Sequence, residues 1–198
     1  FYSVPITSIP VGLFDHCTEA REFKGAFEKT LLSSIPEDIF KYNVIASNFN
    51  LCFASTKITS VPERLFYYCS NAVVFGGFDN WGKAQGCFSR SLLESVPANL
   101  FINNKKASNF DGCFQYSKIK DLPAGLIDNC PVTAMNYFCN ECKMNSVVLP
   151  SISSSLGRYS FDSLGFDLKY IISNSAIPQT IETVSYTHLR AHETLSDL

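Results

Sequence analysis

One short phrase, an aliphatic residue followed by proline, returns through most of this 198-residue chain at a nearly constant interval. A clear example is Ser34-Ile35-Pro36, with Leu32 before it and Ile39-Phe40 after it. The steps between successive copies are 26, 26, 35 and 26 residues. A period of this length is the sequence signature of a repeat protein, in which each unit packs against its neighbours. We number the repeats 1 to 5 by their prolines, Pro10, Pro36, Pro62, Pro97 and Pro123.

Apolar residues recur every three to four positions around each repeat. After the proline come a Leu-Phe pair or its equivalent, a cysteine or asparagine, an alanine, an aromatic residue and a final phenylalanine. In repeat 5 we assign Ala134, Tyr137 and Glu141 to the last three of these positions. The spacing fits neither a long amphipathic helix nor alternating strands. It predicts a chain wound into flattened coils that stack equivalent residues on one another.

The stretch before each proline predicts a short strand. Aligned strands of neighbouring coils pair at about 4.8 Å, and proline, which has no N–H, suits a strand end. The stretch after it, such as 37–42, starts with acids and predicts one or two helical turns whose dipole favours those acids. A second extended stretch is expected at Ala46–Phe49 and its equivalents. The predicted strands are Ile6–Ile9, Leu32–Ile35, Ile58–Val61, Leu93–Val96 and Ile119–Leu122.

The 35-residue step exceeds the others by nine residues, and the flanking pattern stays in register if the extra residues lie within 76–86. Insertions in repeat arrays map to loops on one face, so this segment should bulge outward. It contains Phe78 and the single tryptophan of the chain, Trp81. Exposed aromatic residues anchor interfaces, which makes both candidate partner-binding residues. The alternative is that Trp81 folds back to cover a coil.

A second candidate binding surface consists of the two polar residues between the inward-facing positions of each predicted strand. Stacked repeats would align them as a strip, and repeat proteins commonly bind through such faces. The alternative is that they are ordinary solvated sheet positions. This polar strip comprises Thr7, Ser8, Ser33, Ser34, Thr59, Ser60, Glu94, Ser95, Lys120 and Asp121.

The chain has eight cysteines, but their periodicity argues against disulfides. Three of them alternate along the array with Asn43 and Asn104 and would lie about 10 Å apart, too far for a bridge. Three others fall in consecutive coils, where parallel side chains disfavour the geometry of a disulfide. We predict buried free thiols, with the asparagines hydrogen-bonded to backbone groups at the turn. These two sets are Cys17, Cys69 and Cys130, and Cys52, Cys87 and Cys113.

Nothing in the sequence predicts a catalytic, metal or cofactor site. The net charge of −2 gives no case for nucleic acid or an anionic membrane, and no apolar stretch approaches the roughly 18 residues of a membrane span. His16 has no partners for a triad, and Gly76-Gly77 lacks the continuation of a phosphate loop. The motif Cys139-Asn140-Glu141-Cys142 lacks the second pair that zinc requires and the βαβ context of a thioredoxin.

The repeat Leu-x-x-Ile-Pro-x-x-Leu-Phe-x-x-Cys/Asn resembles the BspA-type leucine-rich repeats of bacterial surface proteins over residues 1–183. The resemblance is stronger in Leu149-Pro150, Leu156-Gly157, Tyr159-Ser160-Phe161 and Leu168-Lys169-Tyr170-Ile171, which we assign to a last coil and the start of a cap at 147–183. It implies a leucine-rich-repeat solenoid, a right-handed coil of short parallel strands and short helical turns. It also implies an extracellular or cell-surface location.

The functional hypothesis that follows is a non-catalytic, monomeric module that binds a protein or glycan on a host or neighbouring cell. The alternatives are a structural spacer that projects another domain, and an accessory part of a truncated enzyme. Because the chain starts at Phe1 inside a repeat, we expect it to be a piece of a longer protein.

The segment 184–198 breaks the repeat pattern. Residues 184–194 resemble one translated reading frame of a transposon-type sequencing adapter, so we expect the natural frame to end near Glu182 or Thr183. His188 and His192 have the spacing of metal ligands on a helix, but a segment of this origin is excluded from functional interpretation.

Overall fold

The computed structural model describes residues 1–79 and 81–144, together with the backbone of 146–149 and 170–173. Within these residues there is no helix, hence none that could cross a membrane. The segment 184–198 and most of 147–183 lie outside the described residues. The strands are β1 (Gly76–Phe78), β2 (Ala84–Gly86), β3 (Ser146–Leu149) and β4 (Tyr170–Ser173).

Successive repeats stack in parallel and in register. Single parallel bridges join equivalent residues of neighbouring repeats at Glu22–Asn48, Asn48–Val74, Val74–Asn109 and Asn109–Ala134. The bridges fall in the second extended stretch of each repeat, the one expected at Ala46–Phe49. The pair β3–β4 is also parallel, with Ser146 opposite Tyr170.

The five strands predicted before the prolines are wrong. These stretches contain no regular strand, and one or two backbone hydrogen bonds join each of the first four to the next, such as Lys57 N to Leu32 O at 2.8 Å and Lys118 N to Leu93 O at 3.0 Å. The proline that follows has no N–H to donate, so the ladder ends before it becomes a regular strand.

The helical turns predicted after the prolines are also wrong. In repeat 2 the chain makes separate i to i+3 turns, in which Lys41 N bonds Asp38 O at 2.8 Å and Asn43 N bonds Phe40 O at 3.0 Å. Asp38 has φ +59°, a left-handed conformation that a helix does not continue through. Its carboxylate pairs instead with Arg64 of the next repeat, at 2.6 Å.

Three columns of phenylalanine rings form the centre of the core. Stacked rings of neighbouring repeats lie 5.5 to 6.0 Å apart between centroids and within 17° of parallel. Rings of different columns meet at steeper angles, as Phe40 and Phe49 do at 5.0 Å and 66°. Both arrangements are favourable for aromatic rings. The columns are Phe14, Phe40, Phe66 and Phe101; Phe23, Phe49, Phe75 and Phe110; and Phe27, Phe53, Phe88 and Phe114.

Repeat 5 is one residue shorter at the turn after Cys130. The bridge from Asn109 reaches Ala134, a step of 25 residues. The shortening lies at Pro131, because Val132 N bonds Cys130 O at 2.9 Å and closes a tighter, i to i+2 turn. Val132 is buried in the position predicted for Ala134, and Ala134 moves to the bridge.

The shorter turn corrects two further assignments in repeat 5. Met135 is buried in the second phenylalanine column, where Tyr137 was predicted. Cys139 is buried in the third column, where Glu141 was predicted. Tyr137 and Glu141 instead have positive φ angles of 56° and 60°, and Glu141 is exposed.

Candidate functional site

The extra residues of repeat 3 form an antiparallel hairpin of β1 and β2. The chain leaves the coil at Phe75 and returns at Cys87, whose N–H bonds Phe75 O at 2.8 Å. Both ends of the hairpin are glycines. A side chain at Gly76 would overlap the backbone of Asp111, and one at Gly86 would overlap the backbone of Cys113. The glycines therefore allow the base of the hairpin to rest closely on repeat 4.

The carboxylate of Asp79 holds the hairpin tip. Its Oδ1 accepts hydrogen bonds from Trp81 N at 2.9 Å and Lys83 N at 2.8 Å, and its Oδ2 accepts one from Gln85 Nε2 at 2.9 Å. The backbone N–H of Asp79 also bonds Lys83 O at 2.9 Å. Hydrogen bonds to a carboxylate are among the stronger ones, so Asp79 ties Trp81, Lys83 and Gln85 together within the hairpin.

The two aromatic residues of the hairpin face solvent. Trp81 is 83% exposed and does not fold back over a coil, which removes the alternative considered for it. Phe78 is 47% exposed. Its ring and that of Tyr137 in repeat 5 are nearly perpendicular, with 6.4 Å between their centroids. The hairpin therefore presents one free indole and one half-covered phenyl ring.

All ten residues of the polar strip are exposed, and the aliphatic residues on either side of each pair face inward. Neighbouring members are joined through the backbone, for example Glu94 N to Thr59 O at 2.9 Å. Stacking thus brings the strip residues of successive repeats together, while Phe78 and Trp81 lie on the separate hairpin.

Aromatic and aliphatic side chains that the repeat pattern does not predict as a surface lie on the turns after the prolines of repeats 2 to 4. Tyr67 and Tyr68 meet edge to face at 5.2 Å, and the ammonium group of Lys41 lies 5.2 Å from the centre of the Tyr42 ring. The signal was the variation between repeats at the fifth and sixth residues after proline. This tyrosine patch comprises the exposed residues Tyr42, Tyr67 and Ile102 and the half-buried Tyr68.

The asparagines of repeats 2 and 4 bond the preceding repeat, which confirms their predicted role. Asn43 Nδ2 donates to Cys17 O at 2.8 Å and to Phe14 O at 3.3 Å. Cys69 stands in the equivalent position of repeat 3 and makes a weaker contact, from Sγ to Phe40 O at 3.9 Å. The side chains at this position therefore join neighbouring repeats through hydrogen bonds to the backbone, and these bonds are stronger from asparagine than from cysteine.

All eight cysteines are free thiols, and seven of them are buried. Cys17, which was predicted to be buried, is exposed because it lies in repeat 1, at the end of the described stack. Burial raises the pKa of Cys69 and Cys130 to about 12, and burial also raises the pKa values of Cys52, Cys87 and Cys113 well above the usual value. Because the thiolate is the nucleophile, these groups are inert at neutral pH and serve as core side chains.

A column of buried hydroxyl groups closes the turn after the third phenylalanine column, and the sequence analysis missed it. Thr30 Oγ1 donates to Phe27 O at 2.8 Å, and Ser91 Oγ donates to Phe88 O at 2.7 Å. The signal was a threonine or serine three residues after that phenylalanine. The members in repeats 1 to 4 are Thr30, Thr56, Ser91 and Ser117.

Comparison with known proteins gives a limited result. No protein-family model matches the chain, and no curated protein matches it. Among solved structures it is similar to a chain in the "Crystal structure of LRIM1/APL1C complex", with a TM-score of 0.49 and 10% sequence identity. The similarity covers 87% of this chain and 27% of that chain. Within the described residues, no group of three or more His, Cys, Asp or Glu side chains could hold a metal ion.

Proposed function

We propose that this chain is a non-catalytic protein-binding module whose main anchor is Trp81. The observation that carries the proposal is an indole that is 83% exposed on a hairpin ordered by its own hydrogen bonds. Tryptophan is enriched among the residues that dominate binding energy. An ordered tip loses little conformational entropy on binding, which leaves more of the contact energy for affinity.

The proposed architecture is a right-handed leucine-rich-repeat solenoid of BspA type. Parallel stacking of equivalent residues and the asparagine and cysteine column support it. The resemblance of the repeat to bacterial surface proteins supports an extracellular or cell-surface location. The partner is then a protein on a host or neighbouring cell; a glycan is the second candidate, and the module acts as a monomer.

The polar strip is the second candidate surface within the same function. Its exposed hydroxyl, carboxylate and ammonium groups can donate and accept hydrogen bonds along successive repeats. A spacer that projects another domain, and an accessory part of a truncated enzyme, remain the alternatives. Neither requires an ordered, exposed tryptophan.

Binding should be measured with the full chain on a panel of immobilised matrix proteins and on a glycan array. We expect at least one protein ligand to bind, and Trp81→Ala to weaken its affinity about 30-fold, since anchor residues contribute about 2 kcal/mol or more. Ser34→Ala with Ser60→Ala is the matched strip variant and should change the affinity less than threefold.

Three results would redirect the proposal. Unchanged affinity of Trp81→Ala, with loss on the strip variant, would move the site to the polar strip. Binding to glycans alone would change the partner class. The absence of any ligand on both panels would favour the spacer.

A further inference from the structure

Repeat 5 departs from the other repeats at two buried positions three residues apart. Cys139 replaces the phenylalanine of the third column, and Cys142 replaces the threonine or serine of the hydroxyl column. The neighbouring Phe138 takes the place that cysteine holds in earlier repeats, and its ring meets Phe114 at 5.1 Å, which fills the volume that Cys139 leaves. The pairs at these positions in repeats 1 to 4 are Phe27 and Thr30, Phe53 and Thr56, Phe88 and Ser91, and Phe114 and Ser117.

The turn between the two cysteines brings their backbones close together. Cys142 N bonds Cys139 O at 3.1 Å, and Glu141 has φ +60°. A four-residue turn of this kind places its end Cα atoms within about 7 Å, and disulfides span about 4.4 to 6.8 Å between Cα atoms. Both side chains are buried in the same core, so the sulfurs face the same interior.

The two sulfurs differ in their contacts in the folded state, where Cys142 Sγ also donates to Phe114 O at 3.1 Å. A hydrogen bond from the Cys139 thiol lowers the pKa of Cys142, whereas burial raises the pKa of Cys139. Cys142 Sγ also lies 3.3 Å from Ser117 Oγ, which can donate to a thiolate. In other Cys-x-x-Cys pairs, the cysteine with the lowered pKa supplies the thiolate that attacks first.

We propose that Cys139 and Cys142 are the redox-active site of this chain and close a disulfide with each other, while the five other buried cysteines stay reduced. The oxidant is a small-molecule disulfide such as oxidised glutathione. Because both sulfurs are buried, the oxidant reaches them when the packing around repeat 5 opens locally while the turn from Cys139 to Cys142 stays closed.

The reaction is thiol–disulfide exchange in two steps. The Cys142 thiolate attacks one sulfur of the oxidant, whose S–S bond breaks and releases one thiolate. That thiolate takes the proton of Cys139, and the Cys139 sulfur then attacks Sγ of Cys142 and expels the second small-molecule thiolate, which takes up the proton that Cys142 lost. Two protein thiols become one disulfide, and the oxidant is reduced to two thiols.

The test is equilibration of the full chain in glutathione buffers of defined ratio, followed by acid quenching and differential alkylation of the denatured protein. Peptide mass spectrometry then reports the state of each cysteine. We expect Cys139 and Cys142 to become protected together, linked in one peptide, and the five other buried cysteines to be alkylated. Eight free thiols in the most oxidising buffer, or a disulfide between other cysteines, would overturn the proposal.

Cys142→Ser is the matched variant, because serine holds this position in repeats 3 and 4. It should fold with an unchanged circular dichroism spectrum, and Cys139 and the five other buried cysteines should be alkylated under the same oxidising conditions. Cys113→Ser, a change at the neighbouring buried cysteine, should leave the Cys139–Cys142 disulfide intact. A new bridge from Cys139 to Cys113 in Cys142→Ser would show that proximity in the core, and not the turn, selects the pair.

Discussion

The side-chain amide of Asn104 donates to the main-chain oxygen of Cys69, one repeat earlier, at 2.8 Å, and to Phe66 O at 3.1 Å. The next repeat has Cys130 at this position, and its thiol lies 3.6 Å from Asn104 O. The Asn104 amide has two strong N–H donors, whereas the Cys130 thiol of the next repeat has one weak S–H donor. Asparagine repeats should contribute more to the cohesion of the stack than cysteine repeats.

Replacing Asn104 tests this difference. Asn104→Leu removes the side-chain donor from two carbonyl oxygens, which keep only their turn hydrogen bonds from Ala72 N and Cys69 N, and we expect the free energy of unfolding to fall by about 1 to 3 kcal/mol. Asn104→Cys restores one weak donor and should be the milder change. Urea unfolding followed by circular dichroism measures both. Equal losses for the two variants would show that side-chain volume, and not hydrogen bonding, determines the residue at this position.

The buried rings can be compared with exposed ones at neighbouring positions of the chain. Phe66 is fully buried between Phe40 and Phe101, whereas Tyr67 is 44% exposed. Phe66→Ala should lower the free energy of unfolding by about 3 to 5 kcal/mol through lost burial and a cavity. Tyr67→Ala should change it by about 0.5 kcal/mol or less, as is usual on a surface. A large loss for Tyr67→Ala would mean that the tyrosine patch is covered.

The single tryptophan makes the hairpin observable by fluorescence. Because Trp81 is exposed, its emission should lie near that of a solvated indole, should be quenched strongly by iodide and should shift little when the protein unfolds. Asp79→Ala removes three hydrogen bonds from the tip and should increase proteolytic cleavage within 79–83 without a comparable loss of thermal stability. Blue-shifted native emission would place the indole against a coil.

The sequence predicts what the repeat period controls, and it fails where the backbone adjusts locally. Stacking in register, the phenylalanine columns and the role of Asn43 all follow from residues that recur at fixed distances. The turn after Pro36 was misread because acids next to a proline suggest a helix start, whereas Asp38 adopts a left-handed conformation that ends one. Propensity does not reveal such a φ angle in a non-glycine residue.

The candidate binding surfaces also divide into features that the repeat period predicts and features that it does not. Period alone identifies the hairpin as an insertion, so the position of Trp81 could be predicted but not its exposure. The tyrosine patch was missed because Tyr42 and Tyr67 occupy positions that differ between repeats and give no periodic signal. The altered register of repeat 5 arises from one residue lost at Pro131, and proline-based alignment cannot place so small a change.

The buried thiols predict that alkaline pH destabilises the fold. Burial raises the pKa of Cys69 from 9.0 to about 12 in the folded state. A thiol whose pKa is raised by folding contributes its full stability below the unfolded pKa, and this contribution is lost as the pH rises toward the folded value. Between pH 9 and 12, the free energy of unfolding should therefore fall by about 1.4 kcal/mol per pH unit for this thiol.

Cys69→Asn isolates that contribution, since asparagine holds the same position in repeats 2 and 4. We expect the variant to match or exceed the wild-type stability at pH 7, because asparagine at this position can make the same hydrogen bonds as Asn43 and Asn104, which are stronger than the thiol contact. Between pH 8 and pH 10 its free energy of unfolding should fall by about 1 kcal/mol less than that of the wild type, since all other ionisable groups are common to both proteins. Urea titrations at the two pH values measure the difference. Parallel losses in the two proteins would show that the Cys69 thiol ionises as readily in the folded state as in the unfolded one.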